Sequence, residues 1–240
     1  MNIKKHIPNT ITCCNLLCGC LAIVQTFNGN LVWAAYLVGL AAIFDFFDGF
    51  VARLLHVSSS IGKDLDSLAD MVTFGVVPGF LIFQLLRTSI EIYNQNNVPI
   101  SSNIAFIAFI IPILSAIRLA IFNNDTRQTE SFIGLPTPAN AILISAIPLI
   151  LEYNNFEFIL NPLFLCILSI VLSILLISEI PLFALKFKHF KWKDNEIRYV
   201  FLGLSFVLLI SLQFLGIPLI IIMYIVLSVL NNLIKKNSVS

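Results

Sequence analysis

The chain has 240 residues, of which 58% are hydrophobic and only 11% charged, against about 25% charged in an ordinary soluble domain. So few charges cannot clothe a water-facing surface, which excludes a soluble globular fold and makes lipid the natural solvent for most of the sequence. A net charge of +1 gives no bulk electrostatic case for a nucleic-acid partner.

Lys4 and Lys5 precede the first apolar stretch, and Leu17-Cys18-Gly19-Cys20 has the look of a lipoprotein cleavage site. Pro8, Asn9, Thr12 and Asn15 interrupt what would have to be a clean apolar core, so an uncleaved first span fits better than a signal peptide. Four of the five cysteines, Cys13, Cys14, Cys18 and Cys20, crowd into this segment, and the fifth is Cys166. No histidine lies among them and no paired C-x2-C spacing occurs, so they read as small apolar packing residues rather than a metal site. Thiols at a cytosolic membrane face are not expected to form disulfides.

A bilayer crossing needs about 20 apolar residues. By that measure spans are expected near 11–28, 31–55, 65–86, 102–122, 138–153, 157–180, 199–215 and 217–234. The expectation is an all-α integral membrane protein of eight transmembrane helices, residues 1–240 forming a single membrane-embedded domain. Neither a soluble domain nor an internal repeat is visible.

Eight spans put both termini on one side. Lys4, Lys5, Arg53, Lys63, Arg118, Arg127, Lys186, Lys188, Lys191, Lys193, Arg198, Lys235 and Lys236 then fall on the side of the termini, and Arg87 alone falls opposite. Thirteen against one makes the side of the termini cytoplasmic, as expected for an inner-membrane protein. The basic run from Lys186 to Lys193 is interleaved with Phe187, Phe190 and Trp192. Beside two spans it reads as a belt against anionic lipid headgroups rather than a nucleic-acid surface.

The second span ends, and the third begins, with carboxylates: Asp45, Asp48, Asp64, Asp66 and Asp70. An Asp within a span costs about 2.5–3.5 kcal/mol on insertion scales, and clustered ones repel, so a counter-charge is required. Asp45 and Asp48 are three apart and share a helical face, as do Asp66 and Asp70, four apart. Gly49, Ala52 and Gly62 lie one turn from these positions and leave room for a backbone or ligand. The connection from Leu54 to Ile61 is short, so the helices are antiparallel neighbours and four carboxylates converge near the cytoplasmic surface. Asp64 points off the Asp66/Asp70 face and reads as an exposed helix-start charge. Oxygen ligands without Cys or His suit Mg²⁺ or Mn²⁺. Four carboxylates balance two such ions, and a two-metal clamp suits phosphoryl transfer. Two alternatives stay open: helix-end charges paired with Arg53 and Lys63, and a cation-transport site.

Residues 45–70 read Asp45-x2-Asp48-Gly49-x2-Ala52-Arg53-x8-Gly62-x3-Asp66-x3-Asp70, eight fixed residues over 26 positions. The segment resembles the full signature of the CDP-alcohol phosphatidyltransferase family. That resemblance implies a helical membrane fold with a six-span catalytic core over about residues 5–190, two extra C-terminal spans at about 199–234, and a homodimer. It implies two divalent cations held by Asp45, Asp48, Asp66 and Asp70, with Asp70 also the base. It places Gly49, Ala52, Arg53, Ser59 and Gly62 along the CDP-linked donor. Pro8-Asn9-x2-Thr12-x2-Asn15 resembles the family's N-terminal element, which puts Asn9 and Thr12 beside the nucleotide.

Three further segments resemble the phosphatidylserine synthase branch of the family. They are Arg118-Leu119-Ala120-Ile121-Phe122-Asn123, Phe132-Ile133-Gly134-Leu135-Pro136-Thr137-Pro138-Ala139, and Ser178-x2-Pro181 followed by Lys186. Ile121 departs from the Arg that this branch often carries there. The resemblance implies CDP-diacylglycerol and L-serine as substrates, with Arg118 and Lys186 as candidates for the acceptor pocket. Glycerol 3-phosphate or inositol phosphate is the alternative acceptor within the family.

Overall fold

Apolar surroundings leave backbone N–H and C=O groups no water to bond, and a helix satisfies them within one segment. The protein follows that rule almost throughout. Its structure, a computed structural model, describes residues 6–57, 59–125, 131–154, 156–185, 192–193 and 195–237.

Helix α1 runs His6–Phe27. It begins five residues before the expected span, because Pro8 sits in the first turn, where its missing N–H has no intrahelical partner to lose. A tight turn follows, with Gly29 at φ +78°. Helix α2, Leu31–Leu54, returns against α1 through the buried Ala34, Val38 and Ala41.

Ser59 caps α3, Ser60–Asp70, its hydroxyl accepting from Gly62 N at 3.0 Å. Directly after Asp70 the backbone widens into a π-helical stretch, Met71–Val76, and then resumes as α4, Val77–Gln95. The run Ser60–Gln95 is thus one helical rod of 36 residues. At 1.5 Å per residue it is about 54 Å long, well beyond a hydrocarbon core of about 30 Å. The expected span 65–86 is therefore only the middle of this rod.

A 3₁₀ stretch, Ser102–Phe109, leads into α5, Ile110–Asn124. Glycines let α5 press on the rod: a Cβ at Gly79 would lie 2.7 Å from Pro112 Cδ, and one at Gly75 would lie 3.2 Å from Ser115 Cβ. Helix α6, Thr137–Tyr153, is short but apolar on all sides, and most of it is buried, as expected of a central helix. After a 3₁₀ turn at Glu157–Leu160, Asn161 caps α7, Pro162–Ile177. The expected span 157–180 is therefore a shorter helix flanked by non-helical chain.

Two three-residue strands depart from the all-helical expectation. β1, Ser131–Ile133, pairs antiparallel with β2, Pro181–Phe183, opposing Phe132 with Leu182. Gly134 follows β1 at φ +74°. Its missing side chain matters, since a Cβ would lie 2.6 Å from Leu176 O and 2.8 Å from Ser178 O. Gly134 N instead donates to Ile180 O, and Leu135 N to Leu175 O. The Gly-Leu-Pro turn is thereby clasped onto the exit of α7.

Helix α8, Glu196–Leu212, turns at Gln213 (φ +49°) into α9, Gly216–Asn237. The two form an antiparallel hairpin: Phe201 and Tyr224 rings meet at 5.6 Å, and Gly216 packs on Leu208 O. Among the described residues five helical segments are long and apolar enough to cross a membrane, Glu196–Ile234 counted as one, and α6 and α7 are shorter apolar helices. The protein is a multi-pass, all-α membrane protein; length and apolarity alone do not establish the expected count of eight.

Candidate active site

The site is built where α1, α2 and α3 meet. On α2, Asp45 and Asp48 fall one turn apart, and Asp48 turns inward to 7% exposure. On α3, Asp66 and Asp70 share a face, Asp70 at 9% exposure. Asp64 is exposed, as its angular offset requires. One carboxylate oxygen from each of Asp45, Asp48 and Asp66 lies within 4.8 Å of the others. Asp70 completes the group through a side-chain contact with Asp45. Two carboxylates at such range need a cation or a shared proton between them.

Helix α1 supplies the supports. Thr12 donates its hydroxyl hydrogen to Asp48 Oδ2 at 2.6 Å, a shorter contact than its 3.1 Å approach to Pro8 O. One turn on, Asn15 Nδ2 donates to Asp70 Oδ1 at 3.2 Å. The i, i+3 spacing of Thr12 and Asn15 gives each acidic helix one donor from the same face of α1. Gly19 lets α1 approach the π-helical stretch at Thr73, and Thr73 donates to Asn15 O at 3.3 Å.

A cavity of about 270 Å³ opens beside the carboxylates, lined by Pro8, Asn9, Thr12, Asp48, Gly49, Ala52, Val57, Ser59, Gly62, Lys63 and Asp66. Asn9, Thr12, Gly49, Ala52, Ser59 and Gly62, all expected on the donor, thus share one wall. Gly49 faces open space, with nothing within 4 Å of a Cβ there. At Gly62 a Cβ would lie 3.0 Å from Ser59 Oγ and 3.1 Å from Asn9 Oδ1, so a glycine keeps that wall closed.

Arg53, in contrast, is exposed and is not among the lining residues. It sits five residues after Asp48, about 140° around the helix. Lys63 lines the cavity instead, with Nζ donating to Asn123 O at 2.8 Å. Asn123 Nδ2 in turn donates to Ser67 Oγ at 2.7 Å, so the end of α5 is tied to α3. Lys63 and Asn123 could have been found from the sequence, the first inside the signature and the second ending the Arg118–Asn123 segment; nothing there marked them as partners.

Arg118 is buried at 4% exposure, its guanidinium 5.0 Å from the Phe122 ring centroid and its Nε without a hydrogen bond. It does not line the cavity. Lys186 lies outside the described residues.

The donor set fits a divalent cation. It is all oxygen, and Asp66 Oδ1 is buried without a hydrogen-bond partner. An orphaned charged oxygen is costly unless an ion takes it. Among the described residues no ion pair joins these carboxylates to Arg53 or Lys63; the pair found is Arg87–Glu91, elsewhere. Helix-end pairing therefore does not explain the cluster.

Residues 5–187 match the family described as CDP-alcohol phosphatidyltransferase. The chain is 34% identical to the CDP-diacylglycerol–serine O-phosphatidyltransferase of Bacillus subtilis over 78% of this chain and 92% of that protein. It is 33% identical to the Helicobacter pylori (strain 26695) protein of the same name, over 88% of this chain and 84% of the relative. A Methanocaldococcus jannaschii protein, again of that name, is 31% identical over 95% of this chain and 93% of its own length.

Proposed function

The chain belongs to the CDP-alcohol phosphatidyltransferase family, and on that premise we propose that it transfers the phosphatidyl group of CDP-diacylglycerol to L-serine, giving phosphatidylserine and CMP. The names of the three relatives support serine as the acceptor. The observation that carries the reading is the juxtaposition of the Asp45/Asp48/Asp66 cluster with a cavity walled by Asn9, Gly49, Ser59 and Gly62. A lipid substrate and a water-soluble one can meet only at a membrane interface, and the cluster lies on the C-terminal half of α2 and the first third of the rod Ser60–Gln95, toward the ends that the short connection joins.

In this reading Asp45, Asp48, Asp66 and Asp70 hold two divalent ions, Mg²⁺ or Mn²⁺, as an all-oxygen donor set suits. Bound there, the ions would stabilise, by coordinating phosphate oxygens, the charge that develops on departing CMP. Thr12 and Asn15 fix the orientation of Asp48 and Asp70. The cavity wall takes the nucleotide, with Lys63 inside the wall and Arg53 reaching the diphosphate from the exposed side. Asp70 accepts the proton of the serine hydroxyl. The serine oxygen bonds to the phosphorus that carries diacylglycerol, and the bond from that phosphorus to the CMP oxygen breaks. Arg118 and Lys186 serve the acceptor. The site and both termini face the cytoplasm at the inner membrane, and two chains form a homodimer.

A headgroup screen tests this. Purified protein, CDP-diacylglycerol and Mn²⁺ or Mg²⁺ are offered one alcohol at a time, and CMP release is followed. L-serine should support turnover that EDTA abolishes. Turnover with glycerol 3-phosphate or inositol phosphate, and none with serine, would move the assignment to another branch of the family.

A further inference from the structure

The family match ends at residue 187, which leaves the α8–α9 hairpin without an assigned part in the chemistry. Its packing points to one. β2 pairs with β1 along one edge, and the backbone of 181–184 meets the hairpin along the other. Asn232 Nδ2 donates to Pro181 O at 2.6 Å. Tyr224 Oη donates to Phe183 O at 2.8 Å. Phe183 N donates to Ser228 Oγ at 3.4 Å, and Arg198 Nε donates to Ala184 O at 2.9 Å. Four side chains from two helices thus do for β2 what a third strand would do. An open strand edge in apolar surroundings is costly, so this cover holds the strand to one position.

Tyr224, Ser228 and Asn232 recur every four residues and so form one stripe along α9. The Phe183 ring adds an edge contact to Tyr224 at 5.0 Å and another to Phe201 at 5.7 Å. From β2 a route leads to the acceptor candidate Arg118. Across the sheet, Leu182 opposes Phe132, whose ring contacts Phe122 at 6.3 Å, and Phe122 lies beneath the Arg118 guanidinium. The donor side is linked more remotely: Asn123, next to Phe122, bonds Lys63 and Ser67, and Phe214 in the hairpin turn contacts Tyr36 of α2 at 6.3 Å.

We propose that the C-terminal hairpin is a positioning element for the acceptor half of the site: Tyr224, Ser228, Asn232 and Arg198 hold β2, and β2, through Phe132 and Phe122, sets the placement of Arg118. The inference rests on the assignment of Arg118 to the acceptor. It makes the Tyr224, Ser228 and Asn232 side chains positioning residues that never touch substrate.

The test uses the full-length protein in detergent–lipid micelles, with CMP release measured against serine and, separately, against CDP-diacylglycerol. Tyr224→Phe and Asn232→Leu each remove one hydrogen bond from β2, and the double variant removes two. Each single change should raise the serine KM about three- to ten-fold and the double change more, the scale of a lost hydrogen bond. The CDP-diacylglycerol KM and the Mn²⁺ midpoint should stay within about two-fold. Tyr224→Phe keeps the ring contacts, so it serves as the variant that cannot fail by unpacking; an unchanged elution profile and unfolding midpoint confirm this. Equal changes in both KM values, or none in either, would overturn the proposal. Arg118→Lys runs alongside: if it leaves the serine KM unchanged, the acceptor assignment has failed, and if it raises it while the hairpin variants do not, the positioning role has failed.

Discussion

Replacing Thr12 with Val should separate metal binding from the chemical step. The two side chains are nearly the same size, and Thr12 is 4% exposed, so packing survives while one hydrogen bond is lost. That bond runs to Asp48 Oδ2 at 2.6 Å, the length of a charge-assisted contact. Hydrogen bonds to charged groups are worth about 1.5–3 kcal/mol, or roughly 10- to 150-fold in an equilibrium constant. Groups that orient metal ligands have effects of the same size, about 10–100-fold in metal affinity. Thr12→Val should therefore raise the Mn²⁺ concentration for half-maximal CMP release by at least about tenfold, with kcat at saturating Mn²⁺ changed only a few-fold. Thr12→Ser should restore the midpoint. The assay is a metal titration at fixed CDP-diacylglycerol and serine, started from EDTA-treated protein. A Thr12→Val midpoint equal to wild type, with activity lost at every metal concentration, would refute the reasoning and put Thr12 on the donor nucleotide alone.

Asp70→Asn should lose about 10²–10⁴ in turnover at saturating metal, the usual cost of a missing general base, whereas exposed Asp64→Asn should stay near wild type; the reverse would mean the register of α3 is misassigned. Gly79→Ala should lower stability by about 1–3 kcal/mol, because Pro112 cannot yield to a Cβ at 2.7 Å. Gly39→Ala, with nothing within 4 Å, should cost nothing; thermal unfolding in detergent reads both. Single cysteines in a cysteine-free background should label from the cytoplasm at position 56 and from outside at position 97. Labelling of both from one side would contradict a membrane crossing by the rod Ser60–Gln95.

The carboxylate site was legible because its information is local. Asp45, Asp48, Gly49, Ala52, Gly62, Asp66 and Asp70 lie on two helices joined by a short turn, and helical spacing alone decides which side chains face each other. The contribution of α1 was half visible: Pro8, Asn9, Thr12 and Asn15 stood out as polar interruptions, but that Thr12 and Asn15 would each bond one carboxylate depends on how α1 docks. The π-helical stretch after Asp70 was not visible, since no residue pattern marks a widened turn. It arises where Gly19, Thr73 and Gly75 bring α1 and α5 against the rod.

β1 and β2 were missed for a different reason. Each is three residues long, they pair across about fifty residues of sequence, and they carry no hairpin turn signal. The apolar run through 157–180 hid the end of α7, because Ile180 and Leu182, beyond the helix, are as hydrophobic as Leu176 and Ile177 within it. Arg53 shows the limit of a linear signature: it is one of the eight fixed residues, as Gly49 is, yet its angular position on α2 leaves it exposed while Lys63, at a variable position within the same stretch, lines the cavity.

The central claim is a bond between serine and a phosphatidyl group, so the most direct measurement follows the serine. Purified protein is given isotope-labelled L-serine, CDP-diacylglycerol and Mn²⁺, and the extracted lipid is analysed by mass spectrometry beside CMP release. The account predicts a labelled lipid with the mass of phosphatidylserine, formed one-for-one with CMP, absent with EDTA and absent in Asp66→Asn. CMP released without label entering lipid, or labelled lipid formed at full rate by Asp66→Asn, would contradict it.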